Sequence, residues 1–239
     1  MSVSPESKVR DIIVPVFLAR RNESTFEYKT SCGTAFLIGK RGFAVTAAHV
    51  SNQINAEGDE GVLGFINDAN AWCARRIVQK EEHPEEDVCI LQLESAPPKP
   101  SWLILSNKSM FQSCKYDAWG YPIAIAEWSK KYEEHQLESP DLIYTHGYVR
   151  RKISKPLPFS IFRGSSFYEL SEICGSGCSG GPVIDAKSMG KGAWDVFGIY
   201  LGTATTGEFD ASYAVRSDAI FDWCPAIVGR SLREESLQR

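Results

Sequence analysis

The sequence predicts an all-β protein of the barrel or sandwich class, on three observations. Apolar segments, most of them four to eight residues long, recur along the chain. β-branched and aromatic residues populate them, and Gly, Pro, Asn or Asp stand close by. That punctuation suits short strands joined by turns, not alternating strand-helix-strand units. No internal repeat or low-complexity segment interrupts the pattern.

In chain order the candidate strands are Ile12–Leu18, Thr34–Ile38, Phe43–Ala47, Val62–Ile66, Val88–Leu93, Leu103–Leu105, Tyr116–Trp119, Ile143–Val149, Pro182–Ile184, Val196–Leu201 and Ser212–Val215. The Pro-rich stretch Ser95–Ser101, SAPPKPS, lacks several backbone donors and suits a surface connection. It divides the chain into an amino-terminal half over 1–95, a linker over 96–107 and a carboxy-terminal half over 108–216. Two further stretches read as solvated surface insertions, the charged Glu127–Pro140 and the basic, two-proline Arg150–Arg163; loops of this kind also shape a cleft when they border one. The tail over 217–239 is expected to open with a helix, SDAIFDW, that Pro225 interrupts or ends.

At 239 residues the chain is long enough for one large all-β domain or two small barrels sharing an interface. Its 43% hydrophobic and 23% charged residues are those of an ordinary folded protein. A formal net charge of -4 gives no reason to expect a nucleic-acid partner, because such binders carry a basic face. No apolar run reaches the roughly 18 residues of a membrane helix, so no membrane partner is expected. The amino terminus, MSVSPESKVRDIIVPVFLAR, sets charges around the short β-like run and does not read as a secretory signal. Seven cysteines, at 32, 73, 89, 114, 174, 178 and 224, are an odd number without zinc spacing. They read as reduced, mostly buried thiols of a cytoplasmic protein, with no metal site.

Three segments carry candidate chemistry. Gly175–Pro182, GSGCSGGP, surrounds Ser179 with glycines, which permit the tight turn that aims adjacent N–H groups at a developing oxyanion. The donors would be the backbone N–H groups of Gly177 and Ser179. Taken alone, the same composition also fits an ordinary turn before a strand. Thr46–Val50, TAAHV, ends an apolar run at His49 with small neighbours that leave room for an imidazole. Serine needs such a base to become a useful nucleophile, although a lone histidine there is more often structural. Glu86–Leu93, EDVCILQL, opens on Asp87, whose carboxylate at a strand edge would orient a histidine and stabilise its imidazolium. The competing reading is a plain acidic loop, since Glu81, Glu82, Glu85 and Glu86 crowd the same stretch.

The order His, Asp, Ser is that of the chymotrypsin arrangement. TAAHV, DVCILQL and GCSGGP resemble the three signature blocks of trypsin-like serine peptidases. The likeness extends over most of the chain: CGTAFLIGKRGFAVTAAHV resembles the first-barrel entry to the histidine, and HPEEDVCILQL is similar to the aspartate strand of bacterial PDZ-linked heat-shock members. YDAWGYP and YTHGYV resemble the opening strands of the second barrel, and VFGIYLG the strand beside the substrate. With no PDZ domain expected after the barrel, the pattern is nearest to bacterial stand-alone members.

The resemblance implies two six-stranded antiparallel Greek-key barrels with the active site between them and a C-terminal helix. The first barrel would carry His49 and Asp87 and the second Ser179. It makes His49 the general base, Asp87 its orienting partner, Ser179 the nucleophile, and Gly177 with Ser179 the oxyanion hole. The implied reaction is endopeptidase cleavage of a protein or peptide substrate through an acyl-enzyme, with no cofactor or metal. Ile173 falls near the base of the primary pocket, with Tyr200, Leu201, Gly202, Thr203, Ser212 and Tyr213 as walls. No carboxylate occupies the base, so an apolar or small side chain is expected before the scissile bond. His146 could contact an acidic or amide side chain of a substrate, but the reading of a strand histidine is favoured, while His83 and His135 are read as solvated.

The departures matter too. Digestive relatives place Asp before the serine to pair with a freed amino terminus, and here that position is Cys178. Arg10–Val14, RDIIV, therefore has no obvious acidic partner, and control by an activating protein partner or ligand is expected in place of zymogen cleavage. Cys32 resembles a position that is disulfide-bonded in secreted relatives, but Val50 follows the histidine where its partner would be. Thiol nucleophiles on this fold sit directly before the two glycines, a place held here by Ser179 and not by Cys178. Two rival functions remain: a catalytically silent double barrel used for binding or scaffolding, and an esterase. Gly177–Gly181 fits GxSxG, but His and Asp precede the serine, against the α/β-hydrolase order.

Overall fold

The computed structural model describes residues 9–22, 25–54, 59–66, 72–97, 102–123, 140–158, 160–172, 174–188, 194–206 and 209–237. Thirteen strands are assigned among them: β1 Ile13–Asn22, β2 Thr25–Ile38, β3 Phe43–Thr46, β4 Glu60–Ile66, β5 Trp72–Glu82, β6 Cys89–Leu93, β7 Ile104–Leu105, β8 Lys115–Gly120, β9 Ile143–Ser154, β10 Ser166–Leu170, β11 Pro182–Asp185, β12 Asp195–Thr206 and β13 Phe209–Arg216. The helices are short: α1 Ala48–Ser51, followed by a 3-10 turn at Asn52–Ile54, then α2 Ser217–Ile220 and α3 Leu232–Ser236.

The first six strands close a barrel in the order β1-β2-β3-β6-β5-β4. The second sheet runs β11-β8-β9-β10-β13-β12-β7, and a further β11–β12 pairing closes its six antiparallel strands into a second barrel. β7 is appended, pairing parallel with β12 through Asp195↔Ile104 and Val196↔Leu105. This is the two-barrel, chymotrypsin-like architecture that the resemblance implied. Closure leaves each barrel few free strand edges, which is how small antiparallel sheets avoid unpaired backbone groups.

One apolar cluster spans both barrels. It joins Val14, Phe36, Val50 and Leu91 to Tyr121, Phe162, Phe167, Leu201 and Val215. A second cluster, with Tyr116, Tyr168, Phe197, Tyr200, Cys174 and Cys178, fills the interior of the carboxy-terminal barrel. The tail crosses back to the first barrel: the Glu81 carboxylate accepts from the backbone N–H groups of Ala226 at 2.9 Å and Ile227 at 3.0 Å. Ser231 and Glu234 cap α3 reciprocally, and its buried Glu235 pairs with Arg41.

Several expectations change. β5 is a full strand, so Glu81 and Glu82 end a strand rather than crowd a loop; its polar, charged sequence WCARRIVQKEE hid it. β10, SFYEL, is a strand beyond those the sequence predicts, and Arg150–Ser154, expected in a loop, completes β9. The expected helix SDAIFDW covers only Ser217–Ile220, and a second helix follows Pro225. His83 is buried at 9% exposure, not solvated, and its ring meets Trp223 edge-on at 4.9 Å. His146 does lie on a strand, its ring stacked on Tyr144. His135 and most of Glu127–Pro140 lie outside the described residues.

Candidate active site

His49 belongs to α1, which starts as β3 ends. Thr46 closes that strand, Ala47 is extended (φ -75, ψ 146), and the helix begins at Ala48. The small, buried Ala47 and Ala48 let this turn sit close to the opposite barrel. Asp87 precedes β6, so both groups hang from adjacent strands, β3 and β6, paired Thr46↔Cys89. The carboxylate meets the histidine twice. The His49 backbone N–H donates to Oδ1 at 3.0 Å, and Nδ1 lies 2.9 Å from Oδ2. An ionised carboxylate only accepts, so Nδ1 carries the proton and Nε2 keeps a free lone pair. Asp87 is almost wholly buried, while a quarter of the His49 side chain is exposed.

The loop that carries Asp87 is bonded to the other barrel. Arg163 donates through Nη2 to the carbonyls of His83 at 2.8 Å and Glu86 at 3.2 Å, and its own carbonyl accepts from Asp87 N at 3.1 Å. The buried Glu86 carboxylate accepts from Ser165 N at 3.2 Å and Ser166 N at 3.3 Å. His83 Nδ1 accepts from the N–H groups of Glu85 at 3.2 Å and Glu86 at 3.0 Å. That acceptor role requires a neutral ring, and burial pushes the His83 pKa down, against the pull of Glu86 and Glu85.

Ser179 stands in the turn before β11. Gly177 has φ 95 and Gly180 φ 88, a region in which residues with a Cβ are strained. A Cβ on Gly177 would also lie 2.5 Å from both Ile123 N and the Tyr121 carbonyl. Thr34, wholly buried on β2, holds this turn from the first barrel. Its N–H donates to the Ser179 carbonyl at 2.8 Å, and its hydroxyl donates to the Gly177 carbonyl at 2.9 Å. The same hydroxyl accepts from Tyr121 N at 3.0 Å. Among the described residues, the backbone N–H groups of Gly177 and Ser179 donate to no acceptor. Two adjacent, unspent donors beside a hydroxyl can receive an oxyanion.

The Ser179 hydroxyl donates to the Leu201 carbonyl at 2.6 Å. It has one proton, so that proton is directed at β12 rather than at the imidazole. Cys178, next to it, is buried at 1% exposure, and its Sγ–H donates to the Cys174 carbonyl at 3.0 Å. The neighbouring Cys174 thiol, with burial added, raises its pKa and keeps it protonated. A buried, protonated thiol is a poor nucleophile.

Of the expected pocket residues, Ile173 lies outside the described residues. Tyr200, Leu201, Ser212 and Tyr213 are buried. Thr203 is exposed on β12, and Gly202, at φ 131, passes close to Ser179: a Cβ there would lie 3.5 Å from Oγ. Four residues had no signal as site residues in the sequence. Thr34, Glu86 and Arg163 join the barrels around the site, and Phe162 packs against the imidazole with ring centroids 5.7 Å apart. Gly33-Thr34 beside a strand was the one hint available for Thr34. Phe162 was hidden inside a stretch expected to be solvated.

Residues 33–192 match the family described as the trypsin-like peptidase domain. The chain belongs to that family. Among solved structures, this trypsin-like peptidase domain is similar to the MamO protease domain from Magnetospirillum magneticum, with TM-score 0.62 and 14% identity over 89% of this chain and 95% of that one. It is similar to the HtrA-type protease AlgW, with TM-score 0.61 and 14% identity over 91% of this chain, which spans 65% of the AlgW chain. Deg5 aligns with TM-score 0.59 and 17% identity over 91% of this chain and 93% of its own. These likenesses show a shared fold. No curated protein sequence matches.

Proposed function

We propose that the protein is a serine endopeptidase in which His49, Asp87 and Ser179 act as one catalytic unit. The observation that carries this reading is the double contact of Asp87 with His49 N and Nδ1, which leaves Nε2 as an acceptor. Catalysis in this reading requires the Ser179 hydroxyl to leave the Leu201 carbonyl and reach that acceptor. His49 then takes the hydroxyl proton as Oγ attacks the peptide carbonyl, while the N–H groups of Gly177 and Ser179 receive the oxyanion. His49 returns the proton to the leaving amine, and water attacks the acyl-enzyme by the same route. Asp87 holds the tautomer and stabilises the imidazolium throughout. AlgW, in the structure compared above, holds a decapeptide, and a polypeptide substrate is part of this proposal.

Control by an activating partner or ligand belongs to the same proposal. Ile13 and Val14 lie inside β1, and the residue before Ser179 is a buried thiol that offers no carboxylate to a new amino terminus. A reducing, cytoplasmic setting is supported by the seven cysteines, none of them paired. The rival reading, a silent binding module, draws on the Ser179 hydroxyl being engaged by Leu201.

Labelling with a fluorophosphonate probe tests the reading. The wild type and Cys178→Ala should label and cleave an unstructured protein, while Ser179→Ala should do neither. Activity that survives Ser179→Ala, or no labelling of the wild type even with candidate partners added, would reject it. Full turnover by the purified chain alone would reject the need for a partner.

A further inference from the structure

The walls expected to enclose a pocket beside Ser179 are bonded to one another. The Tyr200 phenol accepts from Cys174 N at 3.1 Å and lies 3.2 Å from Ser212 Oγ. Its ring thus spans from β12 to both the segment leading into the nucleophile turn and β13. The side chain is 1% exposed, and burial pushes its pKa up to about 12, so the phenol stays a neutral hydrogen-bonding group. Its backbone lies against the nucleophile turn: Gly180 N donates to the Tyr200 carbonyl at 2.7 Å, and Tyr200 N donates to the Gly181 carbonyl at 2.8 Å.

A second ring packs on the imidazole. Phe162, on the connection between β9 and β10, packs on the His49 ring and is only 7% exposed. Its Cζ lies 3.4 Å from the point a Gly202 Cβ would occupy. The ring is therefore wedged between the imidazole and the bare backbone of β12. Arg163 and the Glu86 bonds to Ser165 and Ser166 fix the chain immediately after it.

Among the described residues, β12 beyond Leu201 pairs along one edge only, with β13. An extended peptide can add to the free edge and present its carbonyl to Ser179 Oγ. Successive side chains of an extended chain point to opposite sides. With its carbonyl at Ser179, the proposed substrate sets the side chain next to the scissile bond against Tyr200 and the preceding one against Phe162.

We propose, resting on the peptidase reading above, that Tyr200 and Phe162 restrict the substrate to polypeptides with small side chains, Gly, Ala or Ser, at both residues preceding the scissile bond. Each ring governs one of the two positions. Tyr200 occupies the volume in which a larger side chain next to the bond would lie. Phe162 does the same one residue earlier.

Internally quenched peptides that vary these two positions independently test the proposal on the full chain. The wild type should favour Ala-Ala over peptides with Leu or Phe at either position by at least about tenfold in kcat/KM, the scale on which a filled pocket rejects extra methylenes. Tyr200→Ala should relax the position next to the bond alone, and Phe162→Ala the preceding one alone. Tyr200→Phe, which keeps the ring, should retain the wild-type preference. If Tyr200→Ala does not fold, Tyr200→Leu gives the same reading with the core kept apolar. A wild-type preference for Leu or Phe at either position would overturn the proposal, as would a Phe162→Ala enzyme faster on all peptides alike. In those cases the fluorophosphonate still labels Ser179 and the peptidase reading stands. Absence of both labelling and cleavage overturns the two together.

Discussion

On the first-barrel side of the cleft, His49 and Asp87 are held by hydrogen bonds: two between them and a further set tying the Asp87 loop to Arg163 and Glu86. On the second-barrel side, Ser179 is held chiefly by backbone shape, with positive φ at Gly175, Gly177 and Gly180, and the Thr34 bonds strap that turn in place. The chemistry proposed for each side would account for the contrast. A base needs a defined tautomer, which an acceptor at one ring nitrogen provides. An oxyanion site needs backbone N–H groups turned the same way, which takes dihedral angles that a Cβ forbids. Substitutions on the first side should therefore cost turnover while the fold survives. On the second side, substitutions of the turn glycines should cost stability as well.

Asp87→Asn tests that division most severely. The volume is kept, but the amide favours the wrong tautomer, and turnover should fall on the order of 10⁴-fold. Steady-state rates read alongside an unchanged circular-dichroism spectrum would check it, and a loss under tenfold would break the comparison. Gly180→Ala is the counterpart. Its Cβ would lie 2.1 Å from the Thr34 carbonyl and 2.2 Å from Thr46 Oγ1 at φ 88, so a loss of about 3 kcal/mol is expected in denaturant unfolding. A variant as stable as the wild type would show that the turn is not held by shape.

Glu86→Ala sharpens the first half of the comparison. It strips the acceptor from Ser165 N and Ser166 N, with an expected loss of about 1–3 kcal/mol and a reduced kcat, because both Asp87 and Phe162 lose a support. Unfolding and kinetics measured on one preparation would separate the two effects. The smallest expected effect is acid sensitivity from His83. Its folded pKa is lowered, so its stabilising contribution is complete above the unfolded value near pH 6.5 and is lost as pH falls below it. The slope from one proton is at most about 1.4 kcal/mol per pH unit. Melting temperatures of the wild type and His83→Asn, compared between pH 7.5 and 5.0, should diverge in the wild type's disfavour as acid is added.

The strands were legible wherever burial imposed an apolar run, as in β3, β6 and β12. They were not where the outward face dominated, as in β5, where Arg75, Arg76, Lys80, Glu81 and Glu82 mask the pairing. Residues whose chemistry rests on a side-chain type in a local setting could be read in order along the chain: His49 after small residues, Asp87 before an apolar strand, Ser179 among glycines. The meeting of His49 and Asp87 could not, since the carboxylate reaches the imidazole only because β3 pairs with β6.

The sequence by itself determined an all-β class of short strands and the candidates His49, Asp87 and Ser179, because periodicity, glycine placement and side-chain chemistry are local properties; the double barrel came from the family resemblance. Tertiary structure alone decided what surrounds them. Thr34 as the strap on the nucleophile turn, Glu86 and Arg163 as the bridge between barrels, and Phe162 against the His49 ring all act on residues distant in the chain. Such contacts arise from how the two closed sheets pack, and no spacing along one strand encodes them.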